Sequence, residues 1–103
     1  MAFSDLDIAR VWMKGRIVPG YDASLYRQDD CGAWMTWKEY GNRNSVYGWE
    51  IDHVLAVANG GSDAFSNLRP LQWENNAQKQ DGRLLCPVIS SSNENIRRGL
   101  ISL

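Results

Sequence analysis

Apolar side chains recur along this chain in short groups, and the spacing within the groups changes from helical to extended. Near the start, Leu6, Ala9, Val11, Trp12 and Met13 predict a short helix with one apolar side. Ser4 is placed to cap it, Asp5 and Asp7 are favourable in its first turn, and it should end near Gly15. Pro19 and Gly20 mark a turn. Residues 25–30 read as a second short helix stopped by Gly32, and residues 33–37 as an aromatic-rich strand. A turn-rich loop follows at 41–45. Residues 47–57 are the clearest strand, with Trp49, Ile51, Val54, Leu55 and Val57 as its apolar side chains, although its two halves need not lie straight. Asn59-Gly60-Gly61-Ser62-Asp63 is a strong turn, residues 68–71 a short return strand with Pro70 at an edge, and 73–81 a helix that Gly82 can stop. Pro87 and the stretch 90–93 suggest a loop, and 97–103 a last helical turn or a frayed tail.

The pattern predicts an α+β fold in one small domain, since 103 residues suit one core. Residues 1–30 form an N-terminal helical and loop extension, 47–82 the central unit and 86–103 a C-terminal tail. No apolar run approaches the roughly 18 residues of a membrane span, and the acidic N-terminus does not resemble a secretory signal, so the expected setting is the cytoplasm with no membrane partner. That setting favours two reduced thiols at Cys31 and Cys86, although one disulfide could join them. Neither lies in a Cys-x-x-Cys pair, so a four-thiolate zinc site is not available. Eleven Lys and Arg against twelve Asp and Glu leave a net charge of −1, which puts weight on local rather than overall positive charge if phosphates are to be bound.

The chain has one histidine, His53, and Asp52 precedes it. A neutral imidazole can take a proton from water near pH 7. Asp52 is a hard anionic ligand and Asn76 a neutral amide ligand, a set that suits magnesium or manganese more than zinc. In an extended backbone Asp52 and His53 point to opposite faces, so a kink or bulge beside them is expected. The imidazole needs an orienting partner, and Asn67 is the candidate, through its side chain or through the loop it shapes. Lys79 would share a helix face with Asn76, and Arg69, Arg83 and Arg43 flank the site in sequence; all four are candidates for phosphate contacts. Singly, each of these residues has a plainer role, as turn, cap or surface charge. Only the set is specific.

Residues 50–57 (Glu-Ile-Asp-His-Val-Leu-Ala-Val), then 59–71, then 73–79 (Trp-Glu-Asn-Asn-Ala-Gln-Lys), resemble the HNH endonuclease family over about 47–82, with looser likeness back to residues 31–34. The resemblance implies a ββα-metal (His-Me finger) core, His53 as general base, Asp52 and Asn76 as ligands of a divalent metal, and Asn67 as the residue that holds the His53 loop. Magnesium or manganese is the expected metal, with nickel or zinc able to enter the same site. Many relatives hold a structural zinc with two Cys-x-x-Cys pairs; here Trp34, Gln72 and Asn75 stand where thiols would be, so no structural zinc is expected, and an aromatic core around Trp34, Trp37, Trp49 and Trp73 would stabilise the module instead. The implied activity is hydrolysis of phosphodiester bonds in nucleic acid, DNA before RNA. A non-catalytic module that binds a partner protein or nucleic acid is the alternative, and a toxin nuclease with an inhibitor protein ranks below it. A chain this small has little surface for reading a long site, which favours low specificity or a targeting partner.

Overall fold

The computed structural model describes residues 3–80 and 82–99. Helix α1 (Asp5–Trp12) starts as its sequence suggests: Asp7 N–H donates to Ser4 Oγ at 3.1 Å, and Ser4 N–H donates to the Asp7 carboxylate at 3.4 Å. The other elements among the described residues are three antiparallel strand pairs, one more α-helix and three single 3-10 turns (Trp37–Glu39, Val57–Asn59 and Phe65–Asn67), an α+β arrangement. Strand β1 (Tyr26–Gln28) pairs with β2 (Trp34–Thr36), β3 (Trp49–His53) with β4 (Leu68–Gln72), and β5 (Val88–Ser91) with β6 (Glu94–Arg97). Helix α2 (Trp73–Ala77) follows β4 directly. No helix among the described residues is long and apolar enough to cross a membrane.

The helix expected at 25–30 is instead strand β1. The Asp29 side chain takes the N–H groups of Cys31 and Ala33, both at 2.9 Å, and so folds 29–33 into the turn that brings β1 back onto β2. Helix α2 is shorter than 73–81: its N-terminus is capped by the Gln72 side chain, which accepts from Glu74 and Asn75, but Asn75 and Asn76 bond elsewhere and regular helix stops at Ala77. The loop and tail expected after Pro87 contain the β5–β6 hairpin, which Asn95 docks onto the backbone of Trp34 by accepting its N–H (2.6 Å) and donating to its carbonyl (2.8 Å). Arg97, expected to begin the tail, is the last residue of β6 and pairs with Glu74 of α2 at 2.8 Å. Of the rest of that tail, 98 and 99 have no regular structure and 100–103 lie outside the described residues.

Val11, Trp12, Met35, Trp49, Ile51 and Leu68 form the core, with Phe3, Ile8, Trp37 and Tyr40 packed against it. The aromatic centre is Trp12, Trp37 and Trp49, with ring centroids 5.1 Å apart for Trp12 and Trp49. Trp34 lies outside this cluster against Tyr21 at 4.5 Å, and Trp73 lies under the Arg43 guanidinium at 5.6 Å. The four-tryptophan core expected from sequence is therefore corrected to a cluster that includes Trp12 from α1.

Cys31 and Cys86 form a disulfide, 55 residues apart in sequence. The expectation of two reduced thiols is overturned, because it rested on compartment and not on proximity; the fold brings the two Cα atoms to 5.3 Å, within bridging range. The bridge ties the β1–β2 turn to the segment before β5. Buried Asp29 joins the same turn to α2: its second oxygen accepts from Gln72 N–H and Asn75 Nδ2, each at 3.0 Å. Burial raises the pKa of Asp29 above the usual carboxylate value, against the lowering effect of the bonds from Asn75, Gln72, Ala33 and Cys31.

Candidate functional site

The β3–β4 hairpin carries the candidate residues. Its ladder is regular to the end of β3, with Asp52 opposite Arg69 and His53 opposite Leu68. Consecutive residues of a strand face opposite ways, so Asp52 and His53 do so here; no bulge interrupts the ladder, and a kink of the kind expected beside them comes directly after His53. The chain bends just after His53, at Val54 and Leu55.

On one face Asp52 is only 4% exposed and lies between two cations. Arg69 Nε donates to its Oδ2 at 2.8 Å, and Lys79 Nζ donates to Oδ1. Lys79 also reaches the His53 carbonyl at 3.5 Å. Glu50 stands two residues earlier on the same face. Arg43 grips it with two bonds of 2.7 and 2.9 Å, and Asn76 Nδ2 donates to it at 2.9 Å. Burial alone would raise the pKa of Glu50, but the bonds from Arg43 and Asn76 and the Arg43 charge outweigh it and hold the group below its ordinary value. Asn76 thus bonds Glu50 rather than Asp52. Among the described residues, no three His, Cys, Asp or Glu side chains come together as a metal-binding group.

On the other face the His53 Nε2 lies 2.6 Å from an Asp63 carboxylate oxygen, and the Phe3 ring packs at 6.0 Å. A carboxylate oxygen accepts, so this contact suits the tautomer with the proton on Nε2, in which Nδ1 carries the lone pair. Phe3, His53, Val57, Gly61, Ser62 and Asp63 line an open cleft of about 400 Å³. Asn67 does not bond the imidazole. Its side chain accepts from Leu55 N–H (2.8 Å) and donates to the carbonyls of Leu55 (3.0 Å) and Ser62 (2.8 Å), clamping both ends of the loop that presents Asp63. Gly61 makes this closure feasible: a Cβ there would lie 1.7 Å from the Leu55 carbonyl oxygen.

The expected phosphate contacts are largely engaged with protein. Arg43 is held by Glu50, while Arg69 and Lys79 are held by Asp52. Arg83 sits exposed in a turn closed by its backbone with Gln80, and no bond joins its side chain to the site among the described residues. Sequence reasoning missed two carboxylates. Glu50 had a signal in its period-two spacing from Asp52. Asp63 had only its place in the glycine-rich turn, ten residues from His53.

The donor set suits an oxygen-binding divalent ion in type: Glu50 and Asp52 on one strand face, with Asn76 of α2 over it. Protein cations already hold these carboxylates, Arg69 and Lys79 on Asp52 and Arg43 on Glu50, so an ion could take Oδ1 of Asp52 only after Lys79 moved aside.

Comparison with known proteins adds no relative: no family model matches the chain, and neither does any curated protein or solved structure.

Proposed function

We propose that this protein is a metal-dependent endonuclease of the HNH type that hydrolyses phosphodiester bonds, in DNA before RNA. The observation that carries this reading is the pairing of His53 with Asp63 at an open cleft, where the strand that carries Glu50 and Asp52 ends and the chain bends at Val54 and Leu55. In the mechanism, Asp63 accepts a hydrogen bond from Nε2–H, which keeps its proton, and so leaves Nδ1 of His53 to take the proton of the attacking water; the imidazolium that forms faces the Asp63 carboxylate. Asn67 is a positioning residue: its bond to the Ser62 carbonyl holds the residue before Asp63 in place. Glu50, Asp52 and Asn76 would hold the divalent ion, which when bound supplies charge to stabilise the pentacoordinate phosphate and the departing oxygen. Lys79, released from Asp52, becomes available to the phosphate.

The test is cleavage of supercoiled plasmid with magnesium, manganese or chelator, beside His53→Ala and Asp63→Asn. Metal-dependent nicking that His53→Ala abolishes and Asp63→Asn reduces is the expected result. Full activity of His53→Ala would remove the proposed base. A second reading, a module that binds nucleic acid or a protein without cutting, is favoured by the full occupation of Asp52 by Arg69 and Lys79. Intact plasmid with every metal, alongside stable complex formation, would support it.

A further inference from the structure

We propose that Arg10 and Lys14 of the α1 segment form, over the Phe65 ring, a binding site for a backbone phosphate of nucleic acid beside the His53 cleft. This rests on the nucleic-acid reading above and names residues that reading does not use. The Arg10 guanidinium lies 4.3 Å and the Lys14 ammonium 4.0 Å from the centroid of the same ring. Two like charges on one ring repel each other, and among the described residues neither has a carboxylate partner. Arg43, Arg69, Lys79 and Arg97 all have one. The pair is therefore an uncompensated positive centre on a chain whose net charge is −1. The lowering of the Lys14 pKa, by burial first and then by the Arg10 charge, agrees with that repulsion.

Lys14 is also held firmly. Its ammonium donates to the carbonyls of Phe65 and Leu68, the second at 2.7 Å, which leaves one of its three N–H donors free. Arg10 is exposed and makes no side-chain hydrogen bond among the described residues, so its forked donors are available for a phosphate. The location links the site to the chemistry. Leu68, whose carbonyl Lys14 holds, is the cross-strand partner of His53, and Phe3, just before α1, packs on the His53 ring. The two cations thus lie on the His53 side of the hairpin, where a strand whose scissile phosphate met His53 would carry its neighbouring phosphates.

The test is binding of a fluorescein-labelled DNA duplex by anisotropy, in chelator to prevent cleavage, across a salt series. Wild type is compared with Arg10→Glu, Lys14→Gln and Lys38→Glu; the last is an exposed lysine outside this site that serves as the control for bulk charge. Arg10→Glu should weaken binding about tenfold and make the plot of log K against log salt shallower by about 0.9 for each phosphate the variant no longer neutralises, with Lys38→Glu near wild type. The Arg10 side chain makes no hydrogen bond to the rest of the described chain, so Arg10→Glu tests the site even if Lys14→Gln loosens the fold. With metal, Arg10→Glu should raise KM and leave kcat in place. Equal weakening by Arg10→Glu and Lys38→Glu, or none by either, overturns the site while the nuclease reading stands. Failure of the wild type to bind any DNA overturns both, and binding of Arg10→Glu unchanged in strength but lost to vesicles of anionic lipid would reassign the pair to a membrane surface.

Discussion

Replacing Lys79 by methionine tests the cation seated on Asp52. Asp52 is 4% exposed, and the side chains of Lys79 and Arg69 are 15% and 17% exposed, so the triad lies mostly out of water. Breaking an isolated buried pair costs about 3–5 kcal/mol, because one charge is left without a partner. Here Arg69 stays on Oδ2 at 2.8 Å, so the loss is closer to one charged hydrogen bond, about 2 kcal/mol. For a domain of this size that lowers the melting temperature by about 10 °C in chelator. The same substitution frees Oδ1 for a divalent ion. Manganese at a hundred times its dissociation constant would then return about 2.7 kcal/mol, close to the amount lost. In the wild type the ammonium competes for that oxygen, so the same manganese concentration should stabilise it less. Differential scanning calorimetry of both proteins, with manganese and with chelator, measures the four melting temperatures required. A Lys79→Met protein that melts like the wild type in chelator would show that the pair adds nothing. Equal manganese shifts in the two proteins would show that Lys79 does not guard a metal ligand.

Two further outcomes follow from the fold. Reducing the Cys31–Cys86 bridge releases a loop of 55 residues, and the chain-entropy model puts its loss at about 4 kcal/mol, readable as a lower midpoint in urea with and without reductant; identical midpoints would show that the bridge does not hold the fold. The Glu50–Arg43–Asn76 cluster should support the fold at neutral pH and not in acid: the folded pKa of Glu50 is lowered, so its contribution is full above the unfolded value of about 4.3 and is lost as pH falls through the folded one. Since Arg43 is exposed, the melting advantage of wild type over Glu50→Gln corresponds to about 0.5–1 kcal/mol at pH 6 and should vanish in acid; an advantage that grows on acidification would reverse the sign of this reasoning.

What could be read from the sequence was local. The Ser4 cap of α1, the inward side chains Trp49 and Ile51 and the return strand with Pro70 all depend on neighbours a few residues away, and the structure keeps them, whereas the strand read over 47–57 ends at His53 and leaves Val54, Leu55 and Val57 exposed. What could not be read depends on distant partners. Asn95 makes β5–β6 part of the fold by bonding Trp34, 61 residues away, and Asp29 prefers a turn to a helix because Gln72 and Asn75 fill its second oxygen from the far side of the chain. The same limit governs the site. The cations near a motif can be counted in the sequence, but their partners cannot be seen there, and Arg43, Arg69 and Lys79 read as free for phosphate only while Glu50 and Asp52 are not known to lie opposite them. Arg10 and Lys14 lie more than 35 residues from His53 and outside the motif, yet the packing of Phe65 against them gathers both on the His53 side of the hairpin with no carboxylate partner among the described residues. Once the paired cations are set aside, the positive charge able to meet a phosphate on the His53 side comes from α1 and the turn just after it and not from the motif that contains the histidine.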